Sequence, residues 1–104
     1  MTGPTPDVPR LLPWAGPEGK PCYVLGDGTG YVSRVADGVE SVQLGMAAEL
    51  LRHADDMRDD PHVTLPQLRF LVARIAESLR DVHRIARSRG ERLSVRESGP
   101  VGRM

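Results

Sequence analysis

The segment of this 104-residue chain that most suggests a chemical function is the glycine-rich run of residues 26–30 (GDGTG). Such loops bind phosphate when a helix N-terminus or a Lys-Ser/Thr pair follows at once, because backbone amides then point at the anion. Here β-prone residues 31–33 (YVS) follow, so we predict a plain hairpin turn. Asp27 alone cannot form a calcium loop, since the alternating acids and the distal glutamate are missing.

Two histidines could form a metal or acid–base site if two helices brought them together. His53 and His83 lie at the edges of predicted apolar stripes, and Asp56 follows His53 by one helical turn. A histidine packed at the core boundary is the more common arrangement, so we predict no catalytic residue, metal or cofactor. Cys22, the single cysteine, excludes an internal disulfide and is predicted to be a small buried residue rather than a nucleophile.

Arginines on the second predicted helix form a candidate phosphate-binding face. Those on one side of the helix are Arg69, Arg80, Arg84 and Arg87. The interpretation that we favour is a solvated flank facing an acidic first helix. Residues 37–60 carry seven acids and two arginines, whereas residues 67–96 carry eight arginines and three acids. The formal net charge of zero argues against a nucleic-acid binder, so that function is the alternative.

The composition predicts one small domain between two flexible arms. Six of the nine prolines lie in the first 21 residues, which makes residues 1–20 a Pro/Gly-rich flexible arm. Residues 93–104 have little to bury and are predicted to be a disordered tail. The domain between them, residues 21–92, has a size at which self-association or a partner often adds stability. No membrane span and no secretory signal are recognisable, so we predict a cytoplasmic protein with no membrane partner.

Hydrophobic spacing predicts a hairpin followed by two helices. Short β-prone runs around the glycine turn predict a β-hairpin over residues 22–36. Apolar residues at helical spacing predict one helix over residues 38–58 and another over residues 65–89. Pro61 separates the helices, and the short connection makes them antiparallel neighbours. The predicted fold class is α+β, an N-terminal β-hairpin followed by two antiparallel α-helices, with flexible arms at both ends.

Both ends of the second helix are marked in the sequence. Thr64 and Gln67 have the spacing of a capping box, and Val63 and Leu68 have that of a hydrophobic staple. Gly90 follows an arginine-rich last turn and can adopt the left-handed conformation that ends a helix. We therefore predict that this helix ends at residue 89.

Two apolar residues of the second helix lie off its apolar stripe. Phe70 points nearly opposite the stripe, and Ile85 also falls outside it. They predict a second contact surface, covered by Trp14 of the N-terminal arm, by the hairpin or by another subunit. Cover within the chain is the interpretation that we favour, because the arm's own apolar residues also need a contact. Trp14, Phe70 and Ile85 are the predicted partner-binding residues.

Five short runs carry a likeness to other proteins. They are residues 9–14 (PRLLPW), 19–23 (GKPCY), 42–46 (VQLGM), 68–71 (LRFL) and 79–81 (LRD). Through them the chain resembles a family of small uncharacterised proteins of streptomycetes and related high-GC actinobacteria. The resemblance covers residues 9–90 and implies a cytoplasmic protein of such an organism. It implies no activity, ligand or site residue.

These patterns predict a non-enzymatic protein-interaction or regulatory accessory module. The module either self-associates, as a homodimer, or binds a regulatory protein. A nucleic-acid-binding accessory protein that uses the arginine face of the second helix is the alternative. An enzyme comes third, and it requires His53 and His83 to meet in a polar pocket.

Overall fold

A β-hairpin and two long helices make up the part of the chain that the structure describes. The computed structural model describes residues 9–26 and 28–97, with side chains up to residue 94. Strand β1 spans Arg10–Ala15, strand β2 spans Pro21–Val24, helix α1 spans Tyr31–Arg58 and helix α2 spans Leu65–Glu97. The predicted α+β fold class, with an N-terminal hairpin followed by two antiparallel helices, is confirmed.

The hairpin lies upstream of its predicted position. Strands β1 and β2 are antiparallel neighbours, with Leu11 opposite Tyr23. The predicted hairpin over residues 22–36 is therefore wrong in its bounds, because its second strand is the start of α1. The predicted flexible arm over residues 1–20 is wrong from residue 10 onward, and a domain start at residue 21 is too late. Residues 1–8 lie outside the described residues.

Burial explains why β1 forms in a proline-rich segment. Leu11 and Leu12 are buried, so the strand contributes apolar surface to the core. Pro13 is tolerated because both strands of a two-stranded sheet are edge strands, where a missing N–H is no loss to the ladder. Glu18 and Gly19 reverse the chain with φ values of 59° and 75°, in the left-handed region that glycine adopts without strain.

Helix α1 begins earlier than predicted, at Tyr31 instead of residue 38. Ser33 and Ala36 are buried in its first turns, and the carbonyl oxygen of Ser33 accepts a hydrogen bond from Arg10 of β1. Packing against the hairpin therefore outweighs the intrinsic strand preference of residues 31–35, which is a weak determinant of structure.

Helix α2 ends later than predicted, because Gly90 does not terminate it. The helix continues to Glu97, although a glycine inside a helix costs about 1 kcal/mol relative to alanine. Arg87 Nε donates to Glu91 Oε2 at 3.1 Å across this turn and supports it. The predicted end at residue 89 is wrong. The disordered tail predicted over residues 93–104 is wrong for residues up to 97, and the remainder lies outside the described residues.

The start of α2 has the predicted capping box. The amide of Thr64 donates to Gln67 Oε1 at 2.8 Å, and the amide of Gln67 donates to Thr64 Oγ1 at 3.3 Å. We expect Thr64→Ala to lower the free energy of unfolding by about 1 kcal/mol, because it leaves a helix amide without its acceptor. Urea unfolding measures this loss. Thr64→Ser keeps the hydroxyl and should remain near the parent protein, so equal losses for both variants would contradict the cap.

The buried apolar core is small for the length of the helices. Its fully buried members are Leu11, Leu12, Ala36, Leu71 and Ile85. The molecule is elongated, with extents of 66 × 34 × 21 Å. Much of the apolar surface of α1 and α2 therefore stays exposed in the single chain.

Neither of the two described helices combines the length and apolar character that crossing a membrane requires.

Candidate protein-interaction site

A buried ion network fixes the hairpin to α1. Arg10 Nη2 lies 2.7 Å from Asp37 Oδ1 and 3.3 Å from Glu40 Oε2, and Arg10 Nη1 donates to the Ser33 carbonyl at 3.1 Å. The side chains of Arg10 and Glu40 are 7% and 4% exposed. Arg89 of α2 approaches Glu40 Oε1 at 3.5 Å. One buried carboxylate therefore links β1, α1 and α2.

Two carbonyl groups of β1 fix the hairpin to α2. Ser88 Oγ donates to the Leu11 carbonyl at 2.9 Å. The Pro13 carbonyl accepts from Arg84 Nη1 at 3.1 Å and from Gln43 Nε2 at 3.2 Å. Because these bonds join specific residues of both helices to one strand, they hold the helices at a fixed spacing. The hairpin thereby positions the helical surface described below.

The surroundings of this junction perturb two arginines in opposite directions. Burial lowers the pKa of Arg92, and the positive charge of Arg10 lowers it further. The pKa of Arg87 is raised, chiefly by its hydrogen bond to Glu91. Both groups stay charged at neutral pH, so the C-terminal half of α2 is a permanently positive segment.

The three predicted partner-binding residues differ in their exposure to solvent. Ile85 is only 3% exposed and lies on the part of α2 that β1 covers, so it is inaccessible to a partner. Trp14 of β1 is half-buried. Phe70 is 68% exposed. The favoured interpretation of cover within the chain therefore holds for Ile85, whereas Phe70 stays open to solvent.

The predicted arginine face is divided between internal contacts and solvent. Arg84 binds the Pro13 carbonyl and lies 3.6 Å from Asp81, and Arg87 binds Glu91 and the Tyr23 hydroxyl. Arg69 and Arg80 are exposed. The predicted pairing of acidic α1 with basic α2 is also limited, since in the described region the ion pair between the helices is Glu40–Arg89.

The candidate residues for metal or acid–base chemistry do not converge. His53 and His83 are both exposed and line separate grooves. Within residues 9–26 and 28–97, no group of three or more potential metal ligands is present. Cys22, predicted to be buried, is half-buried.

The glycine run does precede a helix, contrary to the predicted hairpin turn. Gly28, Thr29 and Gly30 lead into the first turn of α1, and Gly28 adopts a positive φ of 91°. Asp27 lies outside the described residues. The nearby Arg34 Nη1 donates to the Thr29 carbonyl at 2.6 Å, which closes the loop on the helix that follows. The side chain of Arg34 thus stabilises the segment that leads into α1.

Helix α2 carries a seven-residue repeat that the sequence reasoning missed. Apolar residues alternate at spacings of three and four along most of it, at Leu65, Leu68, Val72, Ile75, Leu79, Val82 and Ala86. Leu93 follows one full repeat later, with Arg89 at the intervening position. This is the pattern of a coiled-coil seam. Ile75 and Val82 are half-buried towards α1, whereas Val72 and Leu79 are 63% and 61% exposed. Assigning heptad positions to the stripe would have revealed the second, outward row.

Helix α1 offers a matching row beside that of α2. Leu44, Ala47, Leu51 and Ala54 repeat at the same three-four spacing, and Leu51 is 67% exposed. A groove of about 220 Å³ runs between the two rows. It is lined by Ala47, Leu50, Leu51, Ala54, Ile75, Ser78, Leu79 and Val82. We call this groove, with the exposed residues Leu51, Leu65, Val72 and Leu79 along it, the open face.

A second groove between the helices has a different chemistry. It encloses about 440 Å³, and its lining includes Phe70 and Met46 together with the charged or polar Glu49, His53 and Arg74. In the open face, by contrast, Ser78 is the one polar residue of the lining. The open face is therefore the larger departure from an ordinary protein surface, on which charged groups interrupt apolar patches.

No protein-family model, curated protein or solved structure matches the chain. The resemblance to small actinobacterial proteins therefore stays a prediction, and function has to be argued from the geometry of the chain itself.

Proposed function

We propose that this protein is a non-enzymatic interaction module that self-associates through the open face. The observation that supports the proposal is the outward row of apolar residues at heptad spacing, beside a groove lined almost entirely by apolar side chains. A monomer would leave Leu51, Leu65, Val72 and Leu79 in water at a cost of about 25 cal/mol for each Å² of apolar surface. Association removes that surface from water.

A second copy fits the open face because both helices present the same repeat. Four-helix bundles form when helices with three-four apolar spacing pack their rows against each other. The rows on α1 and α2 have equal spacing and lie on one side of the helical pair, so two copies can interlock about a two-fold axis. In such an arrangement each copy contributes the same patch to the interface.

The open face is also large enough for a stable dimer. Along α2 the open face runs from Leu65 to Val82, and a helical segment of this length measures about 27 Å. Two packed helices present a width of about 20 Å, from their spacing and diameter. The face therefore covers about 540 Å², so that two copies would bury about 1,100 Å² in total, just above the roughly 1,000 Å² expected of a specific interface.

The charge distribution favours an antiparallel arrangement of the two copies. Residues 49–60 contain five acids against Arg52 and Arg58, a net charge of −3. Residues 79–92 contain five arginines against Asp81 and Glu91, a net charge of +3. Because α1 and α2 are antiparallel, these segments lie in opposite halves of the molecule. Turning the second copy end over end places its basic half beside the acidic half of the first.

Sedimentation equilibrium of the parent protein and of Leu79→Glu tests this proposal. We expect the parent protein to be a dimer at micromolar concentration. Leu79→Glu should raise the dimer dissociation constant at least about 100-fold, because the two-fold axis brings two copies of an unpaired carboxylate into one apolar interface. Circular dichroism verifies that the variant keeps its helices.

Phe70→Glu is the matched control for this experiment. Phe70 lies on the same helix and is equally exposed, but it lines the second groove instead of the open face. Its replacement should leave the dissociation constant within about threefold of the parent value, as expected for a residue outside the interface. A monomeric parent protein, or equal weakening by both variants, would show that the open face is not a self-association surface.

A further inference from the structure

An arginine-lined pocket lies between the hairpin and α2 and shares Leu79 with the open face. It encloses about 440 Å³, within the range of small-molecule sites. One wall carries Arg80, His83, Arg84 and Arg87, and the other is apolar and includes Pro21. Among the residues that the structure describes, no aspartate or glutamate lines the pocket. The chain as a whole has no net charge, so this concentration of cations is a local feature.

Two of the three arginines that line the pocket are held in fixed positions. Arg84 Nη1 is bound to the Pro13 carbonyl, and the Arg87 guanidinium is bound to Glu91 and to the Tyr23 hydroxyl. Each guanidinium has five N–H donors, so both retain donors that these contacts do not use. A fixed guanidinium with free donors loses little conformational entropy when an anion binds.

The third arginine, Arg80, and the neighbouring His83 are free to contact a ligand. In the part of the chain that the structure describes, neither Arg80 nor His83 has a hydrogen-bond or ion-pair partner, and both are exposed at the mouth of the pocket. The acids that pair with Arg84 and Arg87, namely Asp81 and Glu91, lie outside the pocket lining. An anion entering the pocket therefore meets the unpaired Arg80 and those donors of Arg84 and Arg87 that Asp81 and Glu91 do not use.

We infer that this pocket binds a small organic phosphate that carries a flat apolar ring. The guanidinium groups provide the paired donors that phosphate oxygens accept. Pro21 on the hairpin and Leu79 on α2 provide apolar surface for a ring, which favours such a ligand over a bare inorganic anion. A free mononucleotide and the end of a nucleic-acid strand share this chemistry, and the volume of the pocket suits the former.

Isothermal titration calorimetry of the full chain with ADP tests the inference. We expect saturable binding with one ADP per chain. Arg80→Gln should weaken it about 10-fold or more, because a hydrogen bond to a charged group is lost. Arg69→Gln is the matched control, since Arg69 is an exposed arginine of the same helix that does not line the pocket. Arg69→Gln should change the ADP dissociation constant by less than about twofold, because salt screens a charge that lies outside the pocket.

Two further titrations separate the parts of the inference. Pyrophosphate should bind at least about 10-fold more weakly than ADP, because it lacks the ring that covers the apolar wall. An oligonucleotide should bind no more tightly per site than ADP. No ADP binding at millimolar concentration, or equal losses in both arginine variants, would overturn the inference. Affinity that grows with oligonucleotide length would also overturn it, in favour of a nucleic-acid surface. Sedimentation of Arg80→Gln, which should remain a dimer because Arg80 does not line the open face, reports self-association separately from these outcomes.

Discussion

Replacing Arg10 with alanine is expected to lower the free energy of unfolding by about 3–5 kcal/mol. The substitution removes the main cationic partner of Glu40, whose side chain is 4% exposed. Arg89 remains at 3.5 Å from the other carboxylate oxygen, but its own side chain is largely in solvent, so its compensation is screened. Small domains have a total stability of about 5–15 kcal/mol, and this single change therefore removes a large part of it. Urea unfolding at a fixed protein concentration measures the loss.

The double variant Arg10→Met with Glu40→Leu separates a charge effect from lost packing. It removes both buried charges and keeps apolar volume, so its stability should lie near that of the parent protein or above it. Lys20→Ala is the control for an exposed pair, since Lys20 lies 4.0 Å from Glu18 in solvent. It should change stability by less than about 0.5 kcal/mol. A loss below about 1 kcal/mol for Arg10→Ala would mean that the buried network contributes little, contrary to the expected cost of an unpaired buried charge.

The second large effect is expected for Ile85→Ala, at about 2–5 kcal/mol of unfolding free energy. Ile85 is 3% exposed, between residues of α2 that bind the backbone of β1. Truncation leaves a cavity at the junction of hairpin and helix, and the bonds from Arg84 and Ser88 to β1 oppose collapse of the site. Thermal and urea unfolding of the variant give the change in stability.

Phe70→Ala provides the comparison for Ile85→Ala on the same helix. The sequence places both residues off the apolar stripe, whereas the structure buries one and exposes the other by 68%. Phe70→Ala should cost less than about 1 kcal/mol, because most of the ring is already in water. Equal losses at the two positions would contradict the docking of β1 on α2.

The parts of the fold that follow from local sequence were predictable. The two helices follow from apolar periodicity, and the start of α2 follows from Thr64 and Gln67, which are three residues apart. The hairpin was misplaced because its strands are fixed by distant contacts. The hydroxyl of Ser88 donates a hydrogen bond to the Leu11 carbonyl, 77 residues away in the sequence. Local propensity is read from short segments, and no short segment contains both groups.

The buried ion network was invisible for the same reason. Arg10 lies in a proline-rich segment that looks like an arm, 27 residues before Asp37. Charged residues are rarely buried unless they are paired, so a lone arginine in such a segment predicts solvent exposure. The open face differs, because its heptad spacing is local. Treating the apolar residues of α2 as one stripe hid the second row.

The attachment of the first strand to the last helix has a consequence for the order of folding. The α1–α2 pair closes a short connection and can form early, whereas β1 must wait until residue 88 exists before its carbonyl groups find their partners. During synthesis from the N-terminus, Leu11 and Leu12 therefore remain exposed while nearly the whole of α2 is translated. The rate of hairpin docking, rather than the rate of helix formation, would then determine how long those leucines of the nascent chain stay exposed. While they are exposed, they can bind chaperones or promote aggregation.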